Sequence, residues 1–331
     1  MPKIFLTFTP ASRENYYSDR ALAGLRTLGD VTLHDGVQPL STTELIDAAH
    51  ECEFLVVDRQ TRGDAELFRQ SPRLIAFSRC AVDIRNVDVA AASESGVLVL
   101  RASAGFVPAV AEWVIGAMID LSRRISESVH AYRTGALANP LMGRQLRGST
   151  LGVVGYGQIG RHVCDLALAL GMRVLVTSQA SDEIPPSLVR RTLDELLAES
   201  DFVVCLAPAT AATENMFDAP RFARMQRTAF FINAARGELV DEAALEQALD
   251  TGLIAGCALD VGRAPDQMPT ARLARHPKVI ATPHVGGLTP QAAEHQALET
   301  VAQLAAVIAG EVPVGAVNAD SAVRLARLRE R

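Results

Sequence analysis

The chain has 331 residues, 49% of them hydrophobic and 21% charged, enough for about two domains with sizeable cores. A net charge of −6 argues against a nucleic-acid partner, and no apolar run approaches the roughly 18 residues that a membrane span needs. Five widely spaced cysteines (Cys52, Cys80, Cys164, Cys205 and Cys257), with no CxxC among them, point to a reducing, cytoplasmic setting and against a disulfide frame or a metal site.

Short apolar runs alternate with helical patterns from the first residues on. Strands are predicted at 3–8, 31–34, 54–58, 74–77 and 97–100, with helices at 43–51 and 87–94 among them. That alternation is the mark of a parallel sheet with crossover helices. A long helix is predicted from about 108 to 132, because Val110, Val114, Ala117, Met118 and Leu121 recur at helical spacing. The pattern then restarts, with strands at 150–154, 173–177, 202–206, 229–233, 255–260 and 279–282. Asp241 is placed to cap a helix that Gly252 ends, and a last long helix covers 290–309. The basic stretch 324–331 reads as a solvated end. The expected fold class is α/β, with two doubly wound parallel-sheet domains joined by two long helices and a cleft between them. Residues 1–104 and 288–331 form the expected substrate-binding domain, and 105–287 the dinucleotide-binding domain.

The strand at 150–154 runs into Gly155-Tyr156-Gly157-Gln158-Ile159-Gly160, and a helical pattern follows. The first glycine permits a tight turn, the second lets a pyrophosphate approach the backbone, and the third lets helix and strand pack closely. The helix start then offers N–H groups and a positive dipole end to phosphate. Three later segments each place a polar residue just past an apolar strand, at the cleft edge of an open α/β sheet. They contain Asn233-Ala234-Ala235-Arg236-Gly237, Ala258-Leu259-Asp260-Val261 and Thr282-Pro283-His284-Val285-Gly286-Gly287. An arginine there supplies a planar fork for a carboxylate, and a histidine can exchange a proton near neutral pH.

These four segments, in this order, resemble the D-isomer-specific 2-hydroxyacid dehydrogenase family, with landmarks from Leu74 to Asn318. The resemblance implies a Rossmann domain beside a flavodoxin-like one, and hydride transfer between a nicotinamide cofactor and C2 of a 2-keto or D-2-hydroxy acid. Arg236 would bind the substrate carboxylate and polarise the carbonyl, and His284 would exchange the proton. Asp260 would contact the nicotinamide carboxamide. Gly155, Gly157, Gln158, Ile159, Gly160, Ser178, Pro208, Thr213, Ala234 and Gly286 fall at other cofactor-side positions. Arg79, Cys80, Ala81 and Val82 occupy the family's substrate loop, whose backbone N–H groups would hold the substrate carboxylate. A homodimer is implied as well. The competing reading within this fold is a cofactor-sensing, corepressor-like binding protein with little turnover.

The chain departs from the family in three places. The glutamate that usually pairs with the catalytic histidine, five residues past the aspartate, is here Pro265; Asp266 is either its substitute or a solvent-facing loop residue. Ser178 stands where an acidic residue would select NAD, so NAD is expected with NADP as the alternative. Cys80 and Asp83 make the substrate loop bulkier and more polar.

Overall fold

Phe54–Val57 and Phe202–Cys205 are buried at every position, the pattern of strands covered on both faces by helices. Each lies near the middle of its own parallel sheet. The computed structural model describes residues 1–137, 140–177 and 183–328, and the chain divides into two units.

The first unit comprises Met1–Phe106 and Thr289–Arg331. Its strands are β1 (Lys3–Leu6), β2 (Asp30–Leu33), β3 (Phe54–Val57), β4 (Ala76–Arg79) and β5 (Leu98–Arg101), all parallel, in the order β2-β1-β3-β4-β5. Alternation splits each strand between two cores. Ile4, Leu6 and Val56 pack with Leu304 and Val307 of the helix Pro290–Ile308, while Phe5, Leu55 and Val57 pack with Leu45, Leu67 and Phe68.

The second unit is Val107–Leu288. It holds β6 (Thr150–Val154), β7 (Arg173–Thr177), β8 (Leu188–Arg190), β9 (Phe202–Cys205), β10 (Phe230–Asn233), β11 (Gly256–Leu259) and β12 (Val279–Ala281). The order is β12-β11-β10-β9-β6-β7-β8, again parallel throughout. Strand order reverses between β6 and β9, so the loops leaving these two strands diverge and open a crevice at their carboxyl ends. The helix Val107–Arg123 buries Val114, Met118 and Leu121 in a cluster with Leu151, Val153, Ile232 and Ala258. Full burial of each large side chain there contributes about 1.5–3 kcal/mol.

Three elements differ from the sequence expectation. β4 lies two residues later than predicted, because it ends in Ser78 and Arg79 rather than in the apolar run before them. β8 was not predicted; three residues ending in an arginine make no apolar run. The single helix expected over 108–132 is two helices, Val107–Arg123 and Ile125–Arg133, broken at Arg124 in the left-handed region (φ 52°). Asp120 makes the break. Its carbonyl accepts the Arg124 N–H at 2.6 Å, and its carboxylate accepts the Ser126 N–H at 2.8 Å and the Ser126 hydroxyl, capping the second helix from inside the first.

Candidate active site

In the second unit the glycine turn leaves β6 beside the reversal of strand order. Gly155 has φ 107°, and a Cβ there would lie 2.6 Å from the backbone of Leu206 and Ala207. At Gly160 a Cβ would lie 2.2 Å from the Gly155 carbonyl oxygen, so helix and turn touch through backbone alone. Gly157 is different, since nothing lies within 4 Å of a Cβ there. It caps the helix Gln158–Ala169 without a side-chain hydrogen bond, and Gly157 and Gln158 are exposed. Exposed, uncapped N–H groups at a helix start, with room for close approach, fit a pyrophosphate. The loop after β9 joins two further cofactor-side residues, as the Thr213 hydroxyl donates to the Pro208 carbonyl at 2.8 Å and accepts the Thr210 N–H at 2.8 Å. Ser178 lies outside the described residues.

β10, β11 and β12 are adjacent, and each delivers one singled-out residue just past its carboxyl end. After β10, Asn233 shapes the turn. Its Oδ1 accepts the Ala235 N–H at 3.0 Å and its Nδ2 donates to the Arg236 carbonyl at 2.9 Å. Sequence reasoning passed over Asn233 as a contributor, although an Asn at a strand end is a recognised turn former. Ala234 follows it, with its N–H donating to the Cys205 carbonyl at 3.4 Å. Arg236 is half-buried, and its Nη1 donates to the Ala235 carbonyl at 2.7 Å.

After β11, Asp260 is buried and committed to its own chain. Its Oδ1 accepts the Thr282 hydroxyl at 2.6 Å and the Val285 N–H at 2.8 Å, and its Oδ2 accepts the Gly286 N–H at 2.7 Å. The carboxylate thus ties down the turn that carries His284. Gly286 is required for that approach, because a Cβ would sit 2.7 Å from Asp260 Oδ2.

After β12, His284 adopts φ 55° with its N–H donating to the carbonyls of Thr282 (2.9 Å) and Asp260 (3.0 Å). Its Nδ1 lies 2.9 Å from the carbonyl oxygen of Asp266. This corrects the carboxylate pairing considered for Asp266. Its side chain is exposed, no ion pair joins it to His284 among the described residues, and contact runs through the main chain. The reason is conformational: Asp266 and Gln267 are both left-handed (φ 57° and 60°), which turns the Asp266 carbonyl toward the imidazole. A carbonyl only accepts, so Nδ1 carries a proton and Nε2 is left to exchange one.

In the first unit the loop after β4 was expected to bind substrate. The Arg79 side chain is not available for that, being 2% exposed. Its guanidinium donates to the carbonyls of Asp58 (2.5 Å), Arg59 (2.5 Å), Thr61 (2.8 Å) and Asp83 (3.2 Å), and to Asn86 Oδ1 (2.6 Å). Burial lowers its pKa to about 10, so it stays cationic at neutral pH and clamps the loops after β3 and β4 together. Cys80 is buried, and that burial pushes its thiol up to about 12, so it packs as an unreactive apolar group. The N–H groups of Ala81 and Val82 make no hydrogen bond within the chain among the described residues.

No helix among the described residues is long and apolar enough to cross a membrane. Residues 115–286 match the family model described as D-isomer specific 2-hydroxyacid dehydrogenase, NAD binding domain. The chain is 33% identical over 301 residues to a D-3-phosphoglycerate dehydrogenase of Synechocystis, covering 89% of this chain and 54% of that protein. It is 32% identical over 330 residues to a glyoxylate reductase of Aeropyrum pernix, covering 96% of each. A solved protein of Thermus thermophilus superposes with a TM-score of 0.84 at 31% identity, over 95% of this chain and 99% of that one. The chain thus spans about half the length of the phosphoglycerate dehydrogenases it matches and nearly all of the glyoxylate reductase. It belongs to the D-isomer-specific 2-hydroxyacid dehydrogenase family, and residues 115–286 are its NAD-binding domain.

Proposed function

We propose that this protein is an NAD(P)-dependent oxidoreductase that reduces a small 2-keto acid to the D-2-hydroxy acid and catalyses the reverse. The observation that carries the reading is the delivery of Arg236, Asp260 and His284 from three adjacent strands, at the sheet edge where the glycine turn also lies. When bound, the nicotinamide cofactor supplies or accepts the hydride at C2. Arg236 binds the substrate carboxylate and stabilises charge growing on the carbonyl oxygen. In reduction, doubly protonated His284 gives its Nε2 proton to that oxygen and is left as the Nδ1–H tautomer, which the Asp266 carbonyl holds. Asp260 positions His284 rather than touching substrate. The N–H groups of Ala81 and Val82, unbonded within the chain among the described residues, are proposed as carboxylate donors.

The substrate is proposed as a short-chain acid, in keeping with relatives named as glyoxylate reductase and D-3-phosphoglycerate dehydrogenase. NAD is the proposed cofactor, and Ser178 leaves NADP use open. A homodimer is proposed as the working form.

The test is NADH and NADPH oxidation with glyoxylate, hydroxypyruvate, 3-phosphohydroxypyruvate, pyruvate and bulkier 2-keto acids. Turnover with at least one is expected. Arg236→Ala should lower kcat/KM by a factor of about a hundred or more, equivalent to roughly 3 kcal/mol, while NADH affinity stays near the parent's. NADH binding with no turnover on any of these acids would favour the corepressor-like alternative instead.

A further inference from the structure

The carbonyl that holds His284 comes from a turn that is itself costly. Asp266 and Gln267 are consecutive non-glycine residues at φ 57° and 60°. Left-handed residues of this kind are strained and persist only where their surroundings fix them. Backbone bonds close the loop, from the Gly262 N–H to the Gln267 carbonyl (2.8 Å) and from the Ala264 N–H to the Met268 carbonyl (3.0 Å). Among the described residues, one side-chain bond from the left-handed pair leaves this loop: Gln267 Nε2 donates to Glu238 Oε1 at 3.2 Å.

Glu238 lies in the 3-10 turn Gly237–Leu239, directly after Arg236. That turn is firmly placed. The Arg263 guanidinium donates to the carbonyls of Glu238 (2.9 Å) and Val240 (3.3 Å), and to Glu214 (2.9 Å) and Asn215 (2.7 Å). A Cβ on Gly237 would lie 2.2 Å from the Gly262 backbone, so the two segments are in direct main-chain contact. The Gln267 amide is held at some cost, because its Oε1 is buried with no hydrogen-bond partner. Glu238 Oε2 is likewise buried and accepts no hydrogen bond, and an unsatisfied buried acceptor is destabilising. With the Glu238 oxygen as acceptor, the Gln267 amide presents its NH2 side to it.

We propose that Glu238 and Gln267 are positioning residues for His284: their side-chain bond fixes the left-handed turn that aims the Asp266 carbonyl at Nδ1, and so sets the histidine's tautomer. The family's missing carboxylate is replaced by a main-chain carbonyl whose support is this pair. The proposal rests on the reading of His284 as proton donor and acceptor. It also ties the arginine turn to the histidine turn, since Glu238 is two residues from Arg236.

The test is a swap. Gln267→Glu sets two carboxylates against each other, and Glu238→Gln sets two amides; the double swap restores one of each with reversed polarity. In Gln267→Glu, kcat should fall about tenfold to a hundredfold, the loss expected when a reacting group is misplaced by a fraction of an ångström to 1 Å. NADH affinity and substrate KM should stay within about twofold of the parent. The double swap should recover most of kcat. Ring nitrogen-15 shifts give a reading independent of turnover: neutral His284 should carry its proton on Nδ1 in the parent, lose that preference in Gln267→Glu and regain it in the swap. Gln267→Ala removes the bond without adding charge and gives the same readings should Gln267→Glu fail to fold. Parental kcat and ring shifts in Gln267→Glu and Gln267→Ala overturn the proposal, as does a swap no better than Gln267→Glu; Glu238→Gln keeps an acceptor for the Gln267 amide and should stay near the parent. His284→Ala separates the two levels. Parental kcat there would overturn the reading of His284 itself, whereas lost kcat there with parental kcat in the Gln267 variants overturns only the positioning role.

Discussion

His284 is oriented by an oxygen that no change of the Asp266 side chain removes. Asp266→Asn keeps the carbonyl, tolerates the left-handed conformation and sits exposed. The pH profile of kcat/KM in Asp266→Asn should therefore superimpose on the parent's; an alkaline limb moved to lower pH would mean that the carboxylate acts on the imidazole after all. Arg236 and His284 could be singled out in the sequence because they stand in distinctive segments just past apolar runs, and the structure places them just past β10 and β12. The partner of His284 was not legible, because a main-chain carbonyl leaves no residue identity to read. Only the backbone angles at 266 and 267 reveal it. Asp260 and Arg79 have structural roles that the sequence did not reveal: each is buried and bonded to its own chain, holding in one case the His284 turn and in the other the two loops after β3 and β4.

At the scale of the element, the three glycines of the turn after β6 carry different burdens, which substitution separates. Gly160→Ala forces a methyl to 2.2 Å from a carbonyl oxygen of rigid backbone. It should destabilise the second unit by about 1–3 kcal/mol or more, seen as a lower midpoint in thermal unfolding. Gly157→Ala meets nothing within 4 Å. It should cost no more than about 1 kcal/mol, through the weaker helix cap. Its NADH dissociation constant, read by fluorescence titration, should nevertheless rise about tenfold or more, because the pyrophosphate approaches there. Parental NADH affinity in Gly157→Ala would remove the turn from the cofactor site. Most of the strands were legible because buried parallel strands are short unbroken apolar runs. β8 was hidden by its length, and the break at Arg124 by its cause: Asp120 and Ser126 read as ordinary helix-surface residues until the cap between them is seen.

Across the whole molecule, the two parallel sheets were legible in the alternation of apolar runs and helical patterns, but their strand order and the surface's function were not. The second unit leaves an apolar face uncovered. On the helix Ile125–Arg133, Ile125, Val129 and Tyr132 recur at i, i+4 and i+7 and are 49%, 40% and 71% exposed, with Ile119 (38%) on the preceding helix. Leu141 and Met142 add exposures of 57% and 100%. Apolar side chains grouped on one helix face mark an interaction surface, and a two-fold dimer, which pairs the patch with its own copy, is the commonest way to cover it. The proposed dimer should sediment at twice 35.4 kDa at micromolar concentration. The double variant Ile125→Asp, Val129→Asp should sediment as the monomer with its NADH affinity intact. Ile125 begins its helix, where an added carboxylate favours the N-terminal dipole, so helix stability should suffer little from that change. A parent that stays monomeric would refute the dimer, and a variant that stays dimeric would place the interface on another face.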